Sequence, residues 1–225
     1  MGVNFDPLYI FELLPRIIRY IPITLLMAVL AMILAIAVGL MIALARNSKN
    51  RLLSAGAAVY ISFFRAIPML VQLFLIYYGL PQLFPVFTKM DAVTAAIIGF
   101  GFKQAAFLAE IFRAAFHSVD KGQMEASLTV GMTKVQAYRR IILPQAARNA
   151  LPGTGNIFIS LIKETSLAFT LGVVEIFAEA KMQAAESFRF FEAYLAVALI
   201  YWLLIIVYSY LQQKLENVLD RPYRS

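Results

Sequence analysis

Five ionisable side chains lie inside long apolar stretches of this sequence, where a charge is most costly. They are Arg65, Lys103, Glu110, Lys163 and Glu164. If these stretches cross a bilayer, each unpaired charge costs at least about 2.5 to 3.5 kcal/mol, so the side chains must face protein or water. In a water-accessible cavity, a cation can bind the carboxylate of a zwitterionic solute and a carboxylate can bind its ammonium.

Polar residues also recur at helical spacing on two of these stretches, so that each set falls on one face of a predicted helix. The candidate residues of a solute path are Ser62, Arg65, Gln72, Lys103, Asn156, Ser160, Lys163 and Glu164. The segment from Leu151 to Asn156 contains one proline and two glycines. A helix break there would leave backbone groups free to face a cavity, which is one interpretation of the segment, but Gly and Pro are also common in ordinary membrane helices.

A structural role stays open for each of the charged residues. Lys163 and Glu164 can pair with other helices, and Lys103 can pair with Glu110 or Glu164. Arg65 can extend toward the membrane face while a proline merely kinks the helix. Glu110 and Arg113 are three residues apart, and we expect an ordinary helix pair between them.

The composition indicates that the solvent of this chain is largely lipid. Of 225 residues, 61% are hydrophobic and 15% are charged, and no Gly/Ser-rich linker separates two halves. We therefore expect one domain. The chain has no cysteine and a single histidine, which excludes disulfides, thiolate metal sites and multi-histidine metal sites.

Apolar runs above twenty residues favour membrane helices over barrel strands, so we predict an all-α integral membrane protein. The predicted spans are about 20–45, 53–80, 92–116, 149–174 and 193–213. Twelve Lys and Arg residues fall in the connections on one side and five on the other. The positive-inside rule then places the N-terminus outside and the C-terminus in the cytoplasm. The first twenty residues lack the order of a cleavable signal peptide, so we expect the first span to be retained.

The longest connection, residues 117–148, is predicted to lie in the cytoplasm and to form two short helices. Gly131 is expected to end the first helix and Thr133 to cap the second. Pro144 is expected to begin the following span. The basic residues of this loop leave open that it lies on anionic lipid, but apolar positions among them favour a protein partner.

The sequence of this loop resembles the EAA loop of ABC-importer permeases. The resemblance lies in Glu125-Ala126-Ser127, Gly131 and Leu143-Pro144, with Ser127 in place of the second alanine. In that family the loop is a coupling helix that docks on the cytoplasmic ATPase. The residues for which the resemblance implies a coupling role are Glu125, Ala126, Ser127, Gly131, Met132, Leu143 and Pro144.

Other segments extend the resemblance to permeases of the polar amino acid uptake group, most of all those for L-cystine. These segments are Tyr60–Pro68, Gly122–Ala126, Ile142–Ala146 and Lys163–Leu167. The resemblance implies the type I ABC importer permease fold and a bacterial cell membrane. It also implies a dimer of ATPase subunits, a second permease, identical or a sister subunit, and an extracytoplasmic amino acid-binding protein.

The chain itself has no Walker A sequence, because no glycine is followed by Lys-Ser or Lys-Thr. We therefore expect ATP and Mg²⁺ to be bound by the partner subunit, and no cofactor or metal in this chain. The positive charges cluster at helix ends, which argues for lipid rather than nucleic acid as their partner. Two alternatives remain: a secondary amino acid carrier driven by an ion gradient, and a membrane scaffold that transports nothing.

Overall fold

The structure is a computed structural model that describes residues 5–220. Within that range the regular structure is helical and contains no β-strand. The helices are α1 (Pro7–Ile18), α2 (Ile21–Arg46), α3 (Arg51–Ala66), α4 (Met69–Phe74), α5 (Leu80–Leu83), α6 (Ala92–His117), α7 (Lys121–Thr129), α8 (Lys134–Ala137), α9 (Leu143–Glu164), α10 (Ile176–Ser187) and α11 (Phe190–Asp220). Two π-helical turns, Leu75–Gly79 and Tyr138–Ile142, and two 3₁₀ helices, Pro85–Lys89 and Thr165–Leu171, join some of them.

Three of these helices are long and apolar enough to cross a membrane in the described part of the chain: α2, α6 and α11. At 26 residues, α2 rises about 39 Å and exceeds a hydrocarbon core of about 30 Å. Two further pairs of helices meet the same criterion if each is counted as one bent span, which gives up to five. The predicted count of five corresponds to that upper limit.

The second predicted span is not one helix. α3 ends at Ala66, and Pro68 has extended backbone angles before α4 begins. A proline has no N–H and disfavours helical angles in the residue before it, which explains the interruption. The prediction that Ser62 and Gln72 share one helical face is therefore wrong. Gln72 instead donates from Nε2 to the carbonyl oxygen of Ile67 at 2.8 Å, next to the break.

The interpretation of that segment of the fourth span as a helix break is also wrong, because α9 runs unbroken through Pro152. Its two glycines serve helix packing instead. A Cβ on Gly153 would lie 3.0 Å from Cγ2 of Ile111, and a Cβ on Gly155 would collide with the side chain of Gln212. Small residues at such positions allow helix backbones to approach closely. The backbone departs from the α-helix only after Glu164, in the 3₁₀ helix that ends at Gly172.

Two compact units divide the chain, and the first comprises residues 5–33, 67–101 and 158–210 of the described range. Its core joins α1 to α10 and α11 through buried aliphatic side chains. These are Ile10, Leu13, Ile17, Ile176, Ala180, Ala184, Ala193, Ala196, Val197 and Ile200. An ion pair of 2.6 Å from Arg189 Nη1 to Asp6 Oδ2 connects the same elements. The Arg189 guanidinium holds the pKa of the Asp6 carboxyl below its usual value.

A buried polar cluster lies inside this first unit. Glu175 is fully buried and caps α10, because its Oε1 accepts a hydrogen bond from Ala178 N at 2.8 Å. The Tyr201 hydroxyl donates to the other carboxylate oxygen at 3.1 Å. Thr24 Oγ1, on α2, accepts from Ile176 N at 3.5 Å, next to this carboxylate in the chain. The cluster therefore connects α2, α10 and α11 in an otherwise apolar region.

The second unit comprises residues 34–66, 102–157 and 211–220 of the described range. In it α2 and α6 approach so closely that a Cβ on Gly39 would lie 3.0 Å from the carbonyl oxygen of Ala105. Ala43, Ile61 and Ala109 form a small buried cluster between α2, α3 and α6. The backbone of α6 thus packs against its neighbours through small side chains.

The Glu175 cluster generates a first prediction. Glu175→Ala removes the acceptor for two buried donors and is expected to lower the free energy of unfolding by about 1 to 3 kcal/mol. Glu175→Gln keeps one side-chain oxygen for Ala178 N and should lose less. The exposed Glu186, on the same helix, provides the control Glu186→Ala. The measurement is thermal unfolding in detergent, and equal midpoints for the two alanine variants would contradict a stabilising role.

Candidate functional site

The candidate coupling loop is a hairpin of two short helices in the second unit. Asp120 caps α7 by accepting a hydrogen bond from Gly122 N at 2.7 Å. The helix ends at Val130, and Gly131 follows with φ +82° in the left-handed region. Gly131 N and Met132 N donate back to carbonyl oxygens of α7, which closes the helix end. The predicted helix end at Gly131 is confirmed.

The second helix begins as the sequence predicts. Thr133 Oγ1 accepts from Gln136 N at 3.3 Å, and Gln136 Oε1 accepts from Thr133 N at 2.8 Å. This reciprocal capping box fixes the turn between α7 and α8. The chain stays helical from α8 through a π-helical turn into α9, so Pro144 lies inside a continuous helix, directly after that turn, and its missing N–H removes one helix hydrogen bond.

The hairpin presents apolar side chains to its surroundings rather than burying them. Val130 is 77% exposed and Val135 is 75% exposed, on either side of Gly131. Tyr138 and Leu128 are also more than one third exposed. Apolar residues clustered on a loop with capped, ordered helices are typical of a surface that another protein covers.

Of the residues with an implied coupling role, some are exposed on this surface and others are buried or half-buried below it. Glu125, Ala126 and Gly131 are exposed on the hairpin, and Leu143 and Pro144 are exposed at the start of α9. The remaining two have positions that suit a structural role. Ser127 is buried and donates from Oγ to the carbonyl oxygen of Gln123 at 2.6 Å, while Met132 is half-buried.

Four candidate path residues belong to the second unit. Ser62 and Arg65 are exposed on α3, and Arg65 lies 5.2 Å from the ring centroid of Phe107. Lys103 is half-buried on α6, and within the described range it has no ion pair. Asn156 is exposed on α9.

The other members of the predicted path belong to the first unit. Gln72 is buried beside the break before α4, and Ser160 and Glu164 are half-buried on α9. Lys163 is exposed on the same helix, and its side chain has no ion pair or hydrogen bond to any residue that the structure describes. An ammonium in this state, on an apolar helix, requires water or a ligand as its partner.

The charged residues of α6 separate into a pair and a lone cation. Arg113 Nη2 lies 2.7 Å from Glu110 Oε2, as the spacing of three residues predicts. Because Glu110 is paired in this way, it is not the counter-ion of Lys103. Of the two ion-pair partners considered for Lys103, Glu110 is therefore excluded and Glu164 is left.

Sequence reasoning missed the buried Glu175 cluster altogether. One signal pointed to it, because an acidic residue directly precedes the apolar run Ile176-Phe177-Ala178, the pattern of a helix cap. Thr24 and Tyr201 lie in different uncharged spans, and only the fold brings them close to Glu175.

Comparison with known proteins decides the family. Residues 35–221 match the family of binding-protein-dependent transport system inner membrane components. The chain belongs to that family. It is therefore a multi-pass component of a bacterial inner membrane, and the type I ABC importer permease fold is confirmed.

The relatives of this inner membrane component include amino acid permeases. The probable amino-acid permease protein YxeN of Bacillus subtilis (strain 168) is 63% identical over 94% of each chain. The L-cystine transport system permease protein TcyL of the same organism is 38% identical over 93% of this chain and 90% of its own. A crystal structure of an amino acid ABC transporter with histidines has a TM-score of 0.86 at 34% identity, over 96% of this chain and 99% of that one. The resemblance to amino acid permeases is thereby confirmed.

The left-handed turn at Gly131 generates a second prediction. Any side chain there meets a strain of about 1 to 2 kcal/mol, so Gly131→Ala should accelerate amide hydrogen exchange in the α7–α8 turn by about 5- to 30-fold. Gly56→Ala is the matched control, because a Cβ on Gly56 has nothing within 4 Å and its backbone is not left-handed. Exchange rates that do not differ between the two variants would contradict the role of this turn.

Proposed function

We propose that this chain is the translocation subunit of an ATP-driven importer of polar amino acids, coupled to separate ATPase subunits through residues 117–148. The observation that carries the proposal is the ordered α7–α8 hairpin with Val130 and Val135 three quarters exposed. A loop that served only to connect two spans would not need two capped helices and an apolar surface.

The coupling mechanism follows from how this hairpin is attached. α9 begins within a few residues of α8 and continues unbroken to Glu164. A displacement of the hairpin by an ATPase subunit is therefore applied to the end of a stiff helix that carries Asn156, Ser160 and Lys163. We propose that nucleotide binding closes two ATPase subunits and that this motion alternates access to the path.

The orientation and number of spans support this assignment. If each bent helix pair counts as one span, the described chain has five, and an odd number places its ends on opposite sides. We propose that the hairpin lies in the cytoplasm, where ATP is available, and the excess of Lys and Arg on its side supports this orientation. Five helices are few to enclose a solute path, so we propose that two permease chains, identical or sister subunits, line it together. An extracytoplasmic binding protein delivers the solute.

For the cargo we propose a polar amino acid, with L-cystine as the first candidate. Relatives that transport amino acids support the class, and the L-cystine permease TcyL supports the candidate. Lys163 provides a suitable group, because an unpaired ammonium on a spanning helix can bind the α-carboxylate that all amino acids share. Side-chain selection is then left to other parts of the path or to the binding protein.

The exposed valines generate a third prediction. Val130→Asp places a charge on the proposed docking surface and should weaken co-purification of the ATPase subunit by at least about tenfold, a difference of about 1.4 kcal/mol. Val86→Asp is the matched control, since Val86 is 79% exposed but lies in the Pro85–Lys89 turn of the other unit. Full retention of the ATPase by Val130→Asp would count against the hairpin as its docking surface.

The proposed cargo generates a fourth prediction, tested by uptake into vesicles that contain the permease and ATPase with the binding protein outside. L-cystine should compete for uptake, whereas cystamine, which lacks both carboxylates, should not. Lys163→Gln should lower ATP-dependent uptake by about tenfold or more, because a charge-assisted hydrogen bond contributes about 1.5 to 3 kcal/mol. Lys181→Gln is the control, because the Lys181 ammonium already has a partner in the Phe169 ring, whose centroid is 4.1 Å away. Uptake that follows an ion gradient without ATP would instead support a secondary carrier.

A further inference from the structure

The first helix of the chain, α1, has one face that packs against its neighbours. Ile10, Leu13 and Ile17 are buried there against side chains of α10 and α11. At about 100° per residue, these three positions fall within about 60° of one another around the helix. Much of the remaining helix surface is exposed, and it divides into an apolar sector and a charged sector.

The apolar sector of α1 consists of large exposed side chains. Leu8 is 72% exposed, Phe11 is 68% exposed and Ile18 is 46% exposed. These positions fall within about 80° of one another and lie beside the buried face. A helix surrounded by water would not favour three such side chains on one exposed face.

The charged sector of α1 lies on the far side of the apolar one. Its members, all exposed, are Glu12, Arg16 and Arg19. Arg16 donates to Gln183 of α10 at 2.8 Å, whereas Glu12 and Arg19 have no side-chain partner in the described part of the chain. Because exposed charges are costly in hydrocarbon, this sector requires water or lipid headgroups. One exposed sector of the helix therefore suits hydrocarbon and the next suits a polar medium.

The two ends of α1 lie beside the beginnings of two membrane spans. At its start, Asp6 pairs with Arg189, and the rings of Phe5 and Phe191 make an edge-on contact at 5.4 Å, next to the first residue of α11. At its end, two residues separate α1 from the start of α2 at Ile21. Both α2 and α11 are long and apolar enough to cross a membrane. A helix that runs from the start of one span to the start of the other lies along the membrane face where both begin.

We propose that α1 is an interfacial helix that binds the surface of a phospholipid bilayer. Leu8, Phe11 and Ile18 insert among the upper parts of the acyl chains, and the Arg19 guanidinium lies at the level of the lipid phosphates. The partner is the leaflet in which α2 and α11 begin, which is the extracytoplasmic leaflet in the proposed orientation. Because the buried face of α1 packs on α10 and α11, this attachment also fixes the depth of those two helices.

The test measures the depth of single side chains in a bilayer. The chain has no cysteine, so one introduced cysteine takes a nitroxide spin label at one position. After labelling, the permease is assembled with its ATPase subunits in vesicles of phosphatidylethanolamine and phosphatidylglycerol. Collision of the label with oxygen, which concentrates in hydrocarbon, is compared with its collision with a water-soluble nickel chelate. A higher ratio of oxygen to nickel collisions indicates a greater depth.

Leu8→Cys and Phe11→Cys report on the apolar sector, and Glu12→Cys is the matched control in the charged sector. The collision ratio should be at least about threefold higher for the two apolar-sector labels, because the apolar face of an interfacial helix lies about 5 to 10 Å below the surface. Trp202→Cys provides the deep reference, since Trp202 is 65% exposed and lies about 18 Å along α11 from its start. Its ratio should exceed those of the three α1 labels.

Three results would overturn the proposal. A ratio as low for Phe11→Cys as for Glu12→Cys would place the apolar sector in water. Ratios for both that equal the ratio of Trp202→Cys would place α1 within the hydrocarbon. Labels at Leu8 and Phe11 that collide with neither reagent would show that protein covers the apolar sector. All four substituted side chains are exposed, so the variants lose no core contact.

The depth measurement requires neither nucleotide nor solute, so its outcome is independent of whether the complex transports amino acids. If α1 has the expected depth in a complex that shows no ATP-dependent uptake, the proposed function is refuted and the interfacial helix stands. The reverse result refutes the interfacial helix alone.

Discussion

A chain in hydrocarbon must satisfy its own backbone hydrogen bonds, and it gains little from bringing apolar side chains together, because lipid is equally apolar. Helices therefore associate where small residues allow backbones to touch. Gly39 against Ala105 and Gly153 against Ile111 are such points, with a hypothetical Cβ at 3.0 Å from its neighbour in each case. These contacts fix α2 and α9 against α6 within the second unit.

The same constraint explains where the backbone is irregular. Three of the departures from the α-helix, at Pro68, after Glu164 and at Gly131, have side-chain partners close by. Gln72 donates to a carbonyl at the first break, Glu175 accepts from the start of α10 after the second, and the Thr133–Gln136 capping box follows the third. At these three breaks the irregular backbone is therefore held by side-chain hydrogen bonds.

Local chemistry made the coupling hairpin predictable from sequence. A left-handed glycine and a threonine cap act within a few residues, so the end of α7 and the start of α8 were predicted correctly. Pro144 was expected to begin a new helix, but the helix that starts at α8 continues through it. The long apolar helices α2 and α11 could also be predicted from the sequence, because length and composition alone identify them. The continuity of α9 could not be predicted from the sequence. Pro152 and two glycines suggest a break, and only the fold shows that the glycines pack against Ile111 and Gln212. Glu175 was missed for the same reason, as Thr24 and Tyr201, which lie close to it, are distant in sequence.

In the described part of the chain, some charged side chains have protein partners and others have none. Glu110 is neutralised by Arg113 one helical turn away, and Glu175 is enclosed by hydrogen-bond donors. Lys163 has neither kind of partner in the described chain, and its helix is the one that continues directly from the coupling loop. In the proposed mechanism α9 joins the hairpin to this cation, so one displacement of the hairpin changes both the access to the path and the environment of Lys163.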